Sequence, residues 1–377
     1  MIEVEKTIGS LYKDKYGQLV ALLIQKFNML SIESAEDVVQ EAFAEATARW
    51  PAQGIPQNPG GWIFQTGKNK AINLLKKSAR LSDLSSVTTA IETEELSEFD
   101  FKDAQLRMLI ACCHPHLAPK TQVILALKYV ANLKMENIAL QLGTSIDMIE
   151  KTLYRARQKI KDESLVLSVN RNGYSKERMS ILHKVIYLIF HEGYKQPGNN
   201  LNQGREMCEE AMLLNNSLLD SQYGNSETKA LQALMLFNAA RLETRFDSNG
   251  NPIELEYQDR NIWNRELIKL GHHMLMESED HEFSPYHLEA SIAFVHCSAL
   301  KFEDTDWAAI CKYYEVLLKI YPSPFAEINY AVALQYNRQA TKAYDILMNL
   351  YQNPYFHKLP ILESSLEKCT QRIKSQK

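Results

Sequence analysis

NLKMENIALQLGTSIDMIEKTLYRARQKIK, residues 132–161, reads as two helices turning on one glycine. Leu133 and residues 135–142 form the supporting helix. Gly143 is its natural exit, because glycine accepts the left-handed backbone that ends a helix without a Cβ clash. Ser145 is placed to cap the next helix, and Asp147 sits in its first turn, where free amides favour negative charge. On that second helix Ile149, Leu153 and Ile160 share the inward face. Met148, Glu150, Lys151, Tyr154 and Arg155 point outward over the first two turns, the part of a helix-turn-helix that reaches base edges in the major groove. Arg155 or Lys151 suits guanine N7 and O6 and Glu150 suits the cytosine N4 amine, a bidentate contact being worth roughly 1–3 kcal/mol of discrimination. Arg157, Lys159 and Lys161 suit phosphate. An ordinary surface helix would share this charge, but cap, turn and charge together favour recognition.

Around this unit lie 377 residues, more than one hydrophobic core of ~250–300 residues accommodates, so two or three domains are expected. Hydrophobic content of 45%, only 14 glycines and abundant Leu, Ala, Glu, Lys and Gln predict an all-α chain. A formal net charge of −4 restricts any DNA contact to local patches. Six cysteines, Cys112, Cys113, Cys208, Cys297, Cys311 and Cys369, lack a disulfide-type spacing, and the first residues lack the apolar run of a signal peptide. The most apolar stretch, 181–190, is broken by His183 and Lys184 and is far short of the ~20 residues of a membrane helix. A reduced, cytoplasmic protein without a membrane span is expected.

Charge is sorted along the chain. Residues 46–82 hold no acid but hold Arg49, Lys68, Lys70, Lys76, Lys77 and Arg80. The sign then reverses over 83–103, a Ser/Thr/Glu-rich segment that reads as a flexible acidic linker. The expected organisation is a first helical domain at 1–82, the linker at 83–103, the helix-turn-helix domain at 104–165 and a helical-repeat domain at 170–377. In the last of these, helices are predicted at 177–193, 202–218, 226–244, 260–276, 285–300, 306–320, 324–336 and 340–351. Trp307, Tyr313, Tyr314, Leu317, Pro322, Ala331, Ala343 and Leu347 approximate a helix-pair repeat of about 34 residues.

Two further segments carry chemistry. In SAEDVVQEAFAEATARW, residues 34–50, Ser34 stands three residues before Asp37 in a capping-box arrangement. Val39, Ala42, Phe43, Ala46 and Trp50 fall on the buried face, while Asp37, Glu41 and Glu45 stack on the opposite one, each like-charged pair disfavoured by a few tenths of a kcal/mol. That ladder is either a solvated face or a surface awaiting a basic partner. In PAQGIPQNPGGWIFQTGKNKAINLLKK, residues 51–77, a Pro/Gly-rich loop feeds a helix whose Ile63, Gly67, Ala71 and Leu74 mark the core side. Lys68, Asn69, Asn73, Lys76 and Lys77 occupy the other faces, amides that can hold an unstacked base beside lysines that track phosphates. Trp62 serves as a stacking platform or as core.

Other motifs carry less. Cys112-Cys113-His114-Pro115-His116 contains metal-ligand types, but adjacent cysteines diverge, and a buried helix end is expected. Asp247-Ser248-Asn249-Gly250-Asn251 begins like a calcium loop, but Pro252 and Gln258 stand where Gly and Glu are needed, so a polar hairpin-like loop is expected. His272, His273, His281, His287 and His296 form a loose cluster without carboxylates at metal-site spacing. No GxSxG elbow, Walker loop, GxGxxG fingerprint or HExxH pair is present, so neither catalysis nor a cofactor or metal is expected.

Taken in order, EDVVQEAFAEATARW (36–50), NPGGWIFQTGKNKAINLLKK (58–77), the acidic linker and a helix-turn-helix ending TLYRARQKI (152–160) resemble the sigma-70 family, specifically its extracytoplasmic-function group. The helical tail is similar to the subgroup with a C-terminal tetratricopeptide-like extension. The resemblance implies a factor that binds core RNA polymerase through the β′ clamp helices and the β flap and directs it to promoter DNA. It implies that Asp37, Gln40, Glu41 and Glu45 meet the clamp helices. Trp62 and Asn69 match the family's W-x6-N, which implies that Asn69 lines the pocket for a flipped base of the −10 element. Lys68, Asn73, Lys76, Lys77 and Arg80 are implied to hold the strands there, although the family often has Arg where Lys68 stands and Asp where Asn73 stands. For the −35 element it implies Ser145, Met148, Glu150, Lys151, Tyr154, Arg155, Arg157 and Lys159. The tail is implied to regulate access, with a regulatory protein or ligand as its partner. A stand-alone helix-turn-helix regulator with a protein-interaction domain is the alternative, distinguished by having no need of the acidic ladder or the Asn69 neighbourhood.

Overall fold

A computed structural model describes residues 2–27, 30–78, 98–163, 176–196, 201–279, 283–353, 356 and 360–375. Among these the chain is helical, and its β pairing is an isolated antiparallel bridge between Phe246 and Pro252. The fold divides into two compact units, residues 1–189 and 190–377.

The first unit begins with α1 (Ile2–Lys26), α2 (Ile32–Gln53) and α3 (Pro59–Ser78), which pack on one another. Val39, Ala42, Phe43, Ala46 and Trp50 of α2 are buried as the spacing predicts, as are Leu19 and Leu23 of α1 and Ile63 and Ala71 of α3. The start of α2 differs from expectation. Ser31, not Ser34, is the cap: its hydroxyl accepts from the Ser34 amide at 3.1 Å. The apolar face extends a turn earlier through buried Ile32 and Ala35, so the helix follows its buried stripe. It also runs through Pro51 before ending at Gly54, whose φ of +84° only glycine adopts readily. In α3 the inward residue is Leu75, whereas Leu74 is exposed.

The rest of the first unit comprises α4 (Glu98–Cys112), α5 (Pro119–Tyr129), α6 (Met135–Gln141), α7 (Ile146–Asp162) and the beginning of α8 (Lys176–Tyr194). Residues 98–103, assigned to the linker from composition, are helical. Once the buried segment from Ala104 onward forms a helix, adding preceding residues needs no new nucleus. The two helical groups share a seam. Gly17 of α1 lies so close to the end of α5 that a Cβ there would stand 2.9 Å from both the Tyr129 and Val130 carbonyl oxygens. Beside it the buried Gln18 amide donates to Gln105 Oε1 at 3.1 Å. The unit extends past the expected boundary near 170, because Arg178 donates to the Ile110 carbonyl at 2.6 Å and Gln141 donates to that of Leu188 at 2.8 Å.

The second unit continues with α9 (Leu201–Leu219), α10 (Ser226–Ala239), α11 (Arg265–Met276), α12 (Pro285–Ser298), α13 (Trp307–Ile320), α14 (Pro324–Tyr336), α15 (Ala340–Tyr351) and α16 (Pro360–Ser375). Helix α10 is its axis, buried along Ala230–Phe237 residues of every face and packed by α9, α11 and α12. The segment expected at 226–244 breaks at Ala239 into a 3-10 turn at Leu242–Thr244, and α11 starts at Arg265 because Asn264 caps it. From α13 onward each helix packs on the next, and Ala331 and Ala343, both fully buried, allow the close approach inferred from their size. Helix α16 escaped the sequence reading, yet its Leu362 and Cys369 complete this core.

His296 gives the second unit a pH-dependent stability. Its ring stands edge-on to Trp307 at 5.3 Å, and its buried Nδ1 has no hydrogen-bond partner among the described residues. Burial, then Arg241 and Arg260, lower its pKa from 6.5 to about 3. The unfolded chain therefore takes up this proton first, so the stabilisation is complete above pH 6.5 and is lost as pH falls towards 3. Urea unfolding at pH 7 and pH 4.5 should differ by on the order of 2 kcal/mol from this group. His296→Phe should remove that part of the acid slope; an unaltered slope would refute the assignment.

Candidate nucleic-acid interface

The helix-turn-helix forms as its local chemistry dictates. Gly143 has φ +58°, and the Ser145 hydroxyl accepts from the Met148 amide at 3.2 Å. Ile149, Leu153 and Ala156 anchor α7, while Ile160 is only half-buried. Met148, Glu150, Lys151, Tyr154 and Arg155 all face solvent. Tyr154 is 62% exposed and Met148 46%. Lys151 pairs with Asp147 at 2.8 Å, an exposed contact of little strength that a phosphate can displace. Lys159 donates to the His116 carbonyl at 2.7 Å and remains exposed.

Arg157 differs from its neighbours. It is half-buried, its Nε donates to the Tyr129 hydroxyl at 2.8 Å, and its guanidinium reaches Glu33 at 3.3 Å and Glu36 at 3.6 Å. Glu36 in turn accepts from Tyr16 at 3.3 Å. Burial raises the Glu36 carboxyl, although Lys128 and Arg157 oppose the shift. An arginine read as free for phosphate is thus held by the first turns of α2. Glu33, Glu36, Tyr16 and Tyr129 were missed in the sequence because more than 20 residues separate each from Arg157 and no periodicity links them.

On α3 the positions 62, 65, 69, 73 and 76 lie on one face. Trp62 is half-buried and packs edge-on against Trp50 at 5.5 Å, so core and surface roles meet in one side chain. Asn69, Asn73, Lys76 and Lys77 are exposed, and Gln65 donates to Asn69 Oδ1 at 3.2 Å. Lys68 corrects the sequence reading. It is only 2% exposed and is engaged within the fold, because position 68 falls on the stripe of Phe64, Ala71, Ile72 and Leu75. Arg80 lies outside the described residues.

The acidic ladder on α2 is not uniform. Asp37, Gln40 and Glu41 are exposed, and Glu45 is half-buried. Lys70 of α3 bridges Glu41 at 3.3 Å and Glu45 at 3.2 Å, and Arg49 meets Glu45 at 2.7 Å. Part of the basic partner that the ladder calls for is therefore supplied internally. Asp37 has no such pair among the described residues.

The remaining candidates resolve as structure. All six cysteines are free and buried, Cys112 and Cys113 closing the end of α4. Asp247 Oδ1 accepts from the Asn249 and Asn251 amides, each at 2.8 Å, in a polar turn. His287 bonds to Ser226, Ser278 and Ser284. Among the described residues no group of three His, Cys, Asp or Glu could hold a metal ion, and no helix is long and apolar enough to cross a membrane.

Residues 13–81 match the family described as Sigma-70 region 2, and residues 107–160 match Sigma-70, region 4. Residues 178–279 match a family of unknown function, DUF6596. An uncharacterized protein of Rhizobium meliloti (strain 1021) is 31% identical over 327 residues, covering 84% of this chain and 77% of that protein. No solved structure matches the chain.

Proposed function

The chain belongs to the sigma-70 family, whose members bind RNA polymerase and DNA to initiate transcription, and from that premise we propose that it is an extracytoplasmic-function sigma factor with a regulatory helical tail. The exposed face of α2 centred on Asp37, Gln40 and Glu41 docks on the polymerase clamp helices. On α3 the face of Trp62, Asn69, Asn73, Lys76 and Lys77 receives the −10 element, with Asn69 at the pocket of an extruded base. An unstacking cost of a few kcal/mol is then offset by contacts in that pocket. Helix α7 reads the −35 element through Lys151, Tyr154 and Arg155, beside Met148 and Glu150. The observation that carries the reading is the coexistence, in one compact unit, of a capped helix-turn-helix and an exposed amide-and-lysine face on α3.

The seam between α1 and the end of α5, with the Arg157–Glu33–Glu36 cluster, holds the two DNA-binding groups together. Gripping separate promoter elements requires that seam to open, and polymerase then supplies the platform that keeps both groups at high effective concentration. The helices from α13 to α16, whose consecutive packing suits a tetratricopeptide-like module, present a surface for a regulatory partner.

Run-off transcription with core polymerase tests the reading. The chain should confer initiation at start sites that core polymerase alone does not use. Tight, sequence-specific DNA binding in the absence of polymerase, with no gain in initiation, would instead identify a stand-alone regulator.

A further inference from the structure

In the second unit two half-buried arginines converge on one tyrosine. Arg241 donates from Nη2 to the Tyr194 hydroxyl at 2.9 Å, while Arg245 lies over the face of the same ring, 3.6 Å from its centroid. Neither has a carboxylate partner among the described residues. Nearby Glu192 pairs with Lys195 at 2.5 Å, and Glu243, next to the pair in sequence, bonds to Arg205.

The donors are unfilled as well. Arg245 Nη1 and Arg241 Nε are both buried without a hydrogen-bond partner among the described residues. A guanidinium has five N–H donors and no acceptor, so these are lost hydrogen bonds as well as uncompensated charge. Contacts with Tyr194, Phe246 and Trp263 repay part of the desolvation through the ring faces but satisfy no N–H. The carbonyl ends of α8 and α10 add at most about half an elementary charge each, less than two guanidiniums require. Burial pulls Arg245 below the ordinary arginine range, whereas Tyr194 helps to hold Arg241 above it.

The frame is rigid. Helices α8 and α9 cross at Gly193 and Gly204, where a Cβ on either would come within 2.5–2.6 Å of the other's carbonyl oxygen. That contact pins the end of α8 carrying Tyr194. The 3-10 turn at Leu242–Thr244 spaces Arg241 and Arg245 by four residues, and the Ile253 amide bonds the Arg245 carbonyl at 2.7 Å.

We propose that Arg241 and Arg245, bracketing Tyr194, form a binding site for a small oxyanion, the phosphate or carboxylate group of a low-molecular-mass ligand. Forked guanidiniums match the paired oxygens of such groups, and both arginines are only half-buried, so a ligand can approach them from solvent. The site gives a ligand class to the regulatory role proposed for the tail and rests on that role only for its consequence in transcription. Binding is measured without polymerase, so the two ideas fail separately.

The test uses the full chain in thermal unfolding at constant ionic strength, with sodium phosphate and sodium succinate as probes and sodium chloride as control. At least one probe should raise the unfolding midpoint by ~1–2 °C or more over chloride. Phosphate alone, or succinate alone, names the group. Arg245→Gln should abolish the increment without lowering the midpoint in chloride, since it removes an unneutralised charge; a merely structural arginine would do the reverse. Should that variant fail to fold, Arg245→Lys keeps the charge, loses the fork and should weaken the probe at least tenfold in titration. No increment in the wild type, or an undiminished one in the variants, overturns the proposal.

Discussion

Asp37→Lys should reduce the affinity of this chain for core RNA polymerase on the order of 100-fold, whereas Glu45→Lys should reduce it far less. The two residues belong to one acidic stripe, and sequence spacing makes them equivalent. Their surroundings do not. Asp37 is exposed without a counterion among the described residues, so its full charge is offered to a partner. Glu45 is half-buried and held by Lys70 and Arg49. Placing a lysine opposite a basic partner converts attraction to repulsion, an effect of several kcal/mol at a docked face. At position 45 the new charge instead meets Lys70 and Arg49 within the chain, and the expected effect is a modest fall in thermal midpoint. Glu41, exposed but sharing Lys70, should fall between them. Quantitative pull-down of core polymerase with the three variants, each checked by circular dichroism, decides the matter. No loss at 37 would remove α2 from the polymerase surface, and an equal loss at 37 and 45 would show that the internal pairing of Glu45 does not set it apart.

Gly17→Ala should open the seam of the first unit. The added methyl would stand 2.9 Å from two backbone carbonyl oxygens, those of Tyr129 and Val130, and no rotamer change relieves a clash with backbone. Overpacking of this kind costs about 1–3 kcal/mol. Because closure opposes promoter binding in this reading, that cost raises the open population about 5- to 160-fold. The variant should therefore show a larger radius of gyration in solution scattering and tighter promoter binding with polymerase present. Arg157→Ala also loosens the seam but removes a cation from α7, so its effect on DNA is mixed. A Gly17→Ala chain with unchanged dimensions and unchanged promoter affinity would show that the seam does not control the exposed helices.

Much of the architecture was legible without coordinates. The cap at Ser145, the Gly143 exit and the buried stripes of α2 and α7 are local devices, spanning one to four residues. The helices at 324–336 and 340–351 coincide with expectation, since Pro324 and the buried alanines punctuate them. Errors arose where two local signals competed. Ser31 and Ser34 both qualify as caps, and burial of Ile32 decides for the first. Leu74 and Leu75 are adjacent apolar residues, and only the direction of the core separates them.

The amino-acid order by itself determined the helical class, the helix-turn-helix and the amide-and-lysine face of α3, because these follow from capping and from the 3.6-residue period. Tertiary structure alone decided which charges remain available. It buries Lys68, pairs Lys70 with Glu41 and Glu45, ties Arg157 to Glu33 and Glu36, and leaves Arg241 and Arg245 without a carboxylate among the described residues. A charge acts through its neighbours and its exposure to water, and both are set by residues brought close only when distant helices pack.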